Sequence, residues 1–339
     1  MDYKPYFWFS REKPPSPHHN HRHTDLYPIS RYRPQETMAD LTTTLGPLTL
    51  KNPTILASGI MGEDAGSIRR MTKSGAGAIV TKSIGLTPRD GYPNPTITET
   101  PHGLLNAMGL PNPGIDHFTT ELDTLHPTTV PLIASIYGKD PDEFRTLAHK
   151  MERHHADALE LNLSCPHAKS YGMEVGMDLQ ILAEITTAVT STVHIPVFVK
   201  LSPNAPDIVT LARAAQDAHA TGIVAINTLR GMSIDLDIRK PILANRIGGY
   251  SGPAIKPIGI RCVYEIAQHV TIPIIGVGGI TTGTDAIEYL MAGASAVQIG
   301  TAVYLRGPTV FSQITKEIST WLTTHHIQRL TDIRGAALP

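Results

Sequence analysis

The feature that most constrains this chain is an alternation repeated eight times, in which a short apolar, β-branched run precedes a segment of helical length. The apolar runs fall at 54–58, 78–82, 131–136, 158–162, 196–200, 223–227, 273–277 and 296–300. Amphipathic helical patterns occupy 64–74, 141–155, 179–192, 207–221, 255–270 and 284–292, and 308–324 follows the last run. The runs lack polar alternation, which marks strands buried on both faces, as in a parallel sheet. Eight strand–helix units within ~290 residues favour a closed (β/α)8 barrel, the TIM-barrel class of α/β folds, over an open doubly wound sheet. No Gly-x-Gly-x-x-Gly opens a helix after the first run, which weighs against a dinucleotide-binding fold.

The first 37 residues differ from the rest. They carry Pro14, Pro15, Pro17, Pro28 and Pro34 together with His18, His19, His21 and His23. Such composition more often marks a disordered extension than a metal site. Residues 1–37 are therefore read as a disordered His/Pro-rich extension or as a start codon placed too far upstream. Residues 38–339 are read as a single barrel domain, and no metal site is expected. A net charge of −1 gives no global field for nucleic acid. No apolar run approaches the ~18 residues that span a bilayer, and the N-terminus lacks the pattern of a secretory signal. Cys165 and Cys262 are too few for a disulfide framework or a four-thiolate cluster, so a cytoplasmic setting is expected.

In a barrel of this kind the active site lies where strands end and the following loops begin. Those ends read Ser58-Gly59, Lys82-Ser83, Ser135, Asn162 with Cys165, Lys200, Asn227-Thr228, Gly278-Gly279 and Gly300-Thr301. Each is polar, charged or glycine directly after an apolar run. Two lysines closing hydrophobic strands call for anionic partners, because a buried ammonium is costly alone. The glycine-rich ends of the last two units suit close backbone approach to a phosphate, the position where barrels recurrently hold one. Tight turns alone would also use them.

Lys200 reads either as a snorkelling core-edge lysine or as a cation facing an electron-rich cofactor such as a flavin. Cys165, on a loop above the barrel mouth, is a candidate base, with an inert thiol or a metal ligand as alternatives. Cys262 lies inside a helical pattern and reads as a small core residue. The segment Gly103-Leu-Leu-Asn-Ala-Met-Gly-Leu-Pro-Asn-Pro-Gly114 is too glycine-rich for a simple connection. Its backbone donors beside Asn106 suit a carboxylate or an amide ring.

Taken together, Thr81-Lys-Ser83, Asn106-Ala-Met-Gly-Leu110, Asn162-Leu-Ser-Cys-Pro166, Val199-Lys200, Asn227-Thr-Leu229, Ser251-Gly-Pro-Ala-Ile-Lys-Pro257, Gly278-Gly279 and Gly300-Thr301 resemble the dihydroorotate dehydrogenase family. The resemblance covers nearly everything from Met38 onward. It implies oxidation of dihydroorotate to orotate with one FMN per chain, in pyrimidine (UMP) biosynthesis. It assigns flavin contacts to Ser58, Lys82, Ser83, Asn162, Lys200, Ile226, Gly252, Gly278, Gly279, Gly300 and Thr301, with Ser135 at the same strand-end layer. Substrate contacts fall to Lys82, Asn106, Ala107, Met108, Gly109, Leu110, Asn162, Asn227 and Thr228. Cys165 takes the role of the base that removes the C5 proton as a hydride leaves C6 for the flavin.

The membrane-bound, quinone-using class of the family uses serine as its base and adds N-terminal helices. Here the base is cysteine and the start shows no amphipathic helix. Asn227-Thr-Leu-Arg-Gly231 and Pro241-Ile-Leu-Ala-Asn245 followed by Gly248-Gly-Tyr-Ser-Gly252 look like the NAD-linked subtype of class 1. That subtype implies a homodimer core within a heterotetramer, in which an iron–sulfur flavoprotein subunit carries FAD and a [2Fe-2S] cluster. The chain departs from the family at His167, where many members have asparagine, and at Ser135, where NAD-linked members often do. Cys165-Pro-His167 also resembles the dihydropyrimidine dehydrogenase domain, an alternative that would act on uracil or thymine. The fumarate-linked subtype is a further, less similar alternative.

Overall fold

A computed structural model describes residues 39–163 and 178–339. The expected extension at 1–37 lies outside the described residues, as do Cys165 and His167. Eight parallel strands close a barrel: β1 (Thr54–Leu56), β2 (Ala78–Val80), β3 (Leu132–Ile136), β4 (Ala158–Asn162), β5 (Val197–Leu201), β6 (Gly222–Ala225), β7 (Ile274–Val277) and β8 (Ala296–Ile299). Each strand pairs with its sequence neighbours, and β8 returns to β1 through Val297 opposite Thr54. This is the (β/α)8 barrel expected from the alternation, with several strands one or two residues shorter than their apolar runs.

The helices α1 (Ala65–Thr72), α2 (Ile115–Asp123), α3 (Pro141–Arg153), α4 (Leu179–Thr190), α5 (Ile208–Asp217), α6 (Lys256–Ala267), α7 (Gly283–Met291), α8 (Thr301–Arg306) and α9 (Val310–Thr324) accompany the strands. Their starts are encoded locally. Asp140 caps α3 by accepting from the Glu143 amide, with Pro141 as the first helical residue. Thr282 and Asp285 form a reciprocal capping box on α7. Cys262 is fully buried on α6, as its setting in a helical pattern implied. Among the described residues no helix is long and apolar enough to cross a membrane.

Two of the additions to the barrel bear on its interior and mouth, and neither was legible as a periodic run. A hairpin of Thr43–Leu45 and Leu48–Leu50 precedes the first barrel strand. Its Leu45 and Leu50 are fully buried and pack with Ile55, Ala78, Val80, Ile133, Ala158, Phe198, Val224, Ile275 and Ala296 in the barrel interior. Burying each leucine contributes about 1.5–3 kcal/mol, so the hairpin acts as a plug. The second addition is a four-stranded antiparallel sheet, ordered Leu229–Gly231, Gly248–Ser251, Gly103–Asn106, Ile97–Thr100. The segment from Gly103 to Gly114, expected as a loop, thus begins as one of its inner strands.

Candidate active site

The barrel interior changes character along its axis. Side chains that share a face recur every second residue on a strand. On four strands that step converts an apolar plug into a polar layer: Ile133 to Ser135, Ala158 to Glu160, Phe198 to Lys200, and Ala296 to Gln298. All four polar residues are buried. Register aligns Ser135 with Glu160 and Asn162 with Lys200 across neighbouring strands. The polar layer is therefore a property of strand phase and register rather than of any one loop.

Above it opens a cavity of about 580 Å³, within the ~300–1,000 Å³ typical of small-molecule sites. Its walls bring together Ser58, Lys82, Ser83, Asn106, Met108, Gly109, Leu110, Asn162, Lys200, Ile226, Asn227, Thr228, Gly252, Gly278, Gly279, Gly300 and Thr301. These come from segments spread over more than two hundred residues, and every one was expected from strand ends or from the resemblance. Cys165 lies outside the described residues, three positions beyond Asn162 at the end of β4.

Two of the expected residues stand back from the cavity wall. Ala107 does not line the cavity; it is 1% exposed and packs with Leu105 and Leu243. Its side chain is turned away because its amide donates to the Thr96 carbonyl at 2.7 Å, continuing the sheet past Asn106. Ser135 does not line the cavity either. It is fully buried one layer down, where its hydroxyl bonds that of Ser83 at 2.8 Å.

Ser83 is the centre of a small polar web. Its hydroxyl also meets Ser58 Oγ at 3.1 Å and accepts from Asn162 Nδ2 at 3.0 Å. Asn162 is thereby fixed with its amide nitrogen used. Its Oδ1 is buried and has no hydrogen-bond partner among the described residues. A buried amide oxygen without a partner costs roughly 1–3 kcal/mol, so a ligand donor would be rewarded there.

The far wall is made by the ends of β7 and β8. Gly278 and Gly279 have φ of +125° and +70°. A Cβ on Gly279 would sit 2.8 Å from the Lys256 amide nitrogen and 2.9 Å from the Gly252 carbonyl oxygen, so only glycine lets these backbones meet. Tyr289 donates to the Gly278 carbonyl at 2.7 Å. Asp285 fixes the next turn by accepting from the Thr281 and Thr282 amides at 2.9 and 2.8 Å, and it pairs with Lys256 at 2.8 Å. Burial works against the Asp285 charge, but the hydrogen bonds from Lys256, Thr281 and Thr282 outweigh it and lower its pKa to about 2. Thr301 Oγ1 bonds Ser251 Oγ at 2.8 Å, joining β8's end to the antiparallel sheet.

Several lining residues had no signal in single strand ends. Ser251, Ile97 and Tyr304 reach the cavity from the added sheet and α8. Gln298 lines it from within β8, and its neighbour Glu160 lies fully buried in β4. A carboxylate inside Leu159-Glu-Leu-Asn162 and a carboxamide inside Val297-Gln-Ile299 were the available signals, readable only once strand phase is known.

The dihydroorotate dehydrogenase family model matches residues 40–322. A relative from Methanocaldococcus jannaschii, named dihydroorotate dehydrogenase B (NAD(+)), catalytic subunit, is 52% identical over 301 residues, covering 88% of this chain and 98% of the relative. A protein of the same name from Pyrococcus furiosus is 52% identical over 290 residues, covering 86% and 96%. The solved dihydroorotate dehydrogenase of Eimeria tenella in complex with ferulenol superposes with a TM-score of 0.77 at 25% identity, over 92% of this chain and 90% of that one. A match of this extent, on a closed barrel whose strand ends converge on one cavity, makes the chain a member of the dihydroorotate dehydrogenase family.

Proposed function

We propose that this chain is the catalytic subunit of an NAD-linked dihydroorotate dehydrogenase, oxidising (S)-dihydroorotate to orotate in pyrimidine biosynthesis. The observation that carries the reading is the cavity itself, which gathers Lys82, Lys200 and an Asn162 oxygen that has no partner among the described residues, beside a glycine cradle. The residues present fit FMN. A flavin ring offers N–H and C=O groups that complement Asn162 and Lys200, and a phosphate suits the close-approach glycines at the ends of β7 and β8. Ser58, Ser83, Ile226 and Gly252 would line the remainder, while Ser135 would support Ser83 from below. Bound FMN would supply the acceptor for the hydride that leaves C6 of the substrate.

The chain's own residues would do the rest. Lys82 would hold the substrate carboxylate. The Asn106–Leu110 strand end, Asn162, Asn227 and Thr228 would orient the ring through its N–H and C=O groups. Cys165 would take the C5 proton; a well-placed base of this kind is worth ~10²–10⁴-fold in rate. Electrons would pass to NAD+ through a partner iron–sulfur flavoprotein carrying FAD and a [2Fe-2S] cluster, an inference supported by the relatives' designation as catalytic subunits. Residues 38–339 would form the FMN-binding barrel, two copies would make the core of the complex, and the assembly would be cytoplasmic.

Anaerobic titration of the flavin-loaded chain tests this. Dihydroorotate is expected to bleach the flavin, and dihydrouracil, which lacks the carboxylate that Lys82 would bind, is not. Bleaching by dihydrouracil alone would move the activity to the pyrimidine-degrading relative suggested by Cys165-Pro-His167.

A further inference from the structure

Beneath the cavity, three side chains on three strands form a closed polar unit. Lys200 Nζ donates to Glu160 Oε1 and to Gln298 Oε1, each at 3.3 Å. Gln298 Nε2 in turn donates to Glu160 Oε2 at 2.6 Å. Glu160 is 0% exposed, Gln298 1% and Lys200 6%. Lys200 and Gln298 line the cavity, whereas Glu160 does not. By register Glu160 stands opposite Phe198 of the plug, and Lys200 lies one same-face step further toward the cavity, so Glu160 backs Lys200 from the plug side. Both of its oxygens are used within the unit.

A carboxylate in that place has a cost with no return in packing, since an apolar residue would continue the plug. Replacing a buried ion pair by apolar groups is often neutral or stabilising, so the pair is weak evidence for stability alone. What it does accomplish is positional and electrostatic. It holds the Lys200 ammonium at one point of the cavity floor. It also offsets part of the positive charge that Lys200 presents upward, because charges buried this close are weakly screened. The Gln298 amide fixes the geometry by bonding both members at once.

We propose that Glu160, with Gln298, is a positioning residue that pins Lys200 at the cavity floor and restrains the positive potential felt by the bound flavin. This rests on the FMN reading above. A reduced flavin carries more negative charge than an oxidised one, so a stronger positive field beneath it favours the reduced form. The carboxylate then keeps the flavin potential lower, which favours passing electrons onward to an acceptor of low potential.

The test is the midpoint potential of the flavin bound to the full-length chain, measured for wild type, Glu160→Gln and Glu160→Asp. Glu160→Gln keeps the shape and removes the charge. It is expected to bind reduced over oxidised FMN at least tenfold more favourably than wild type, a rise of about 30 mV for a two-electron couple. Glu160→Asp keeps the charge at shorter reach and is expected to fall between the two. A role in folding alone would lower the melting temperature and leave the potential in place. If Glu160→Gln does not hold flavin, Glu160→Asp decides, because a potential equal to wild type overturns the inference. Equal potentials in an enzyme that dihydroorotate still bleaches would sink this inference and leave the function standing. A shifted potential in a chain that dihydroorotate does not bleach would do the reverse.

Discussion

Asp285→Asn is the substitution whose effect follows most directly from the structure. Asp285 receives hydrogen bonds from the Thr281 and Thr282 amides and from Lys256, and its side chain is 12% exposed. These hold the carboxyl at about 2 against an ordinary 3.8. A group whose pKa is lowered in the folded state contributes stability that is complete above its unfolded pKa and is lost as pH falls through the folded one. The difference corresponds to about 2 kcal/mol at pH 7, with roughly half gone by pH 3. The asparagine variant is thus expected to be about 2 kcal/mol less stable in urea at pH 7, and the gap should narrow between pH 4 and pH 2. Because Asp285 holds the turn beside Gly279, flavin affinity should fall with stability. Equal stability at pH 7, or a gap that stays constant down to pH 2, would show that the ionised carboxyl does not stabilise this turn.

Three further outcomes follow from the same geometry. Gly279→Ala forces a left-handed backbone on alanine and drives its Cβ against the Lys256 amide and the Gly252 carbonyl. It is expected to cost at least ~1–2 kcal/mol and to weaken flavin retention, both readable by thermal melting of loaded protein. Cys165→Ala is expected to retain bound flavin but to slow its reduction by dihydroorotate by several orders of magnitude near neutral pH, by stopped-flow; near-wild-type reduction would remove the base role. Deletion of residues 1–37 should leave turnover unchanged, and a large loss would show that the segment contributes to the fold.

Much of the fold was legible because a parallel barrel writes itself as repeated apolar runs between amphipathic segments. The site was legible for a related reason. Strand ends face the same cavity, so Ser58, Lys82, Asn162, Lys200, Gly278 and Gly300 converge though they are remote in sequence. What resisted reading depended on register. The plug hairpin uses three-residue strands, too short to show a period. Ile97–Thr100 and Leu229–Gly231 are partly exposed strands, joined into one sheet only because Gly103–Asn106 pairs with Gly248–Ser251, far away in sequence. Ser135 stands near a strand end yet lies behind Ser83, to which its hydroxyl bonds, rather than on the cavity wall. Glu160 and Gln298 hide within apolar runs, and nothing local shows that they share a barrel interior with Lys200.

The proposed activity requires the cavity at the barrel mouth to turn dihydroorotate into orotate. The most direct measurement is a single anaerobic turnover of the flavin-loaded chain with excess dihydroorotate, quantifying orotate against flavin reduced. One orotate for each FMN bleached is the predicted result. Bleaching without orotate, or orotate formed while the flavin stays oxidised, would contradict it.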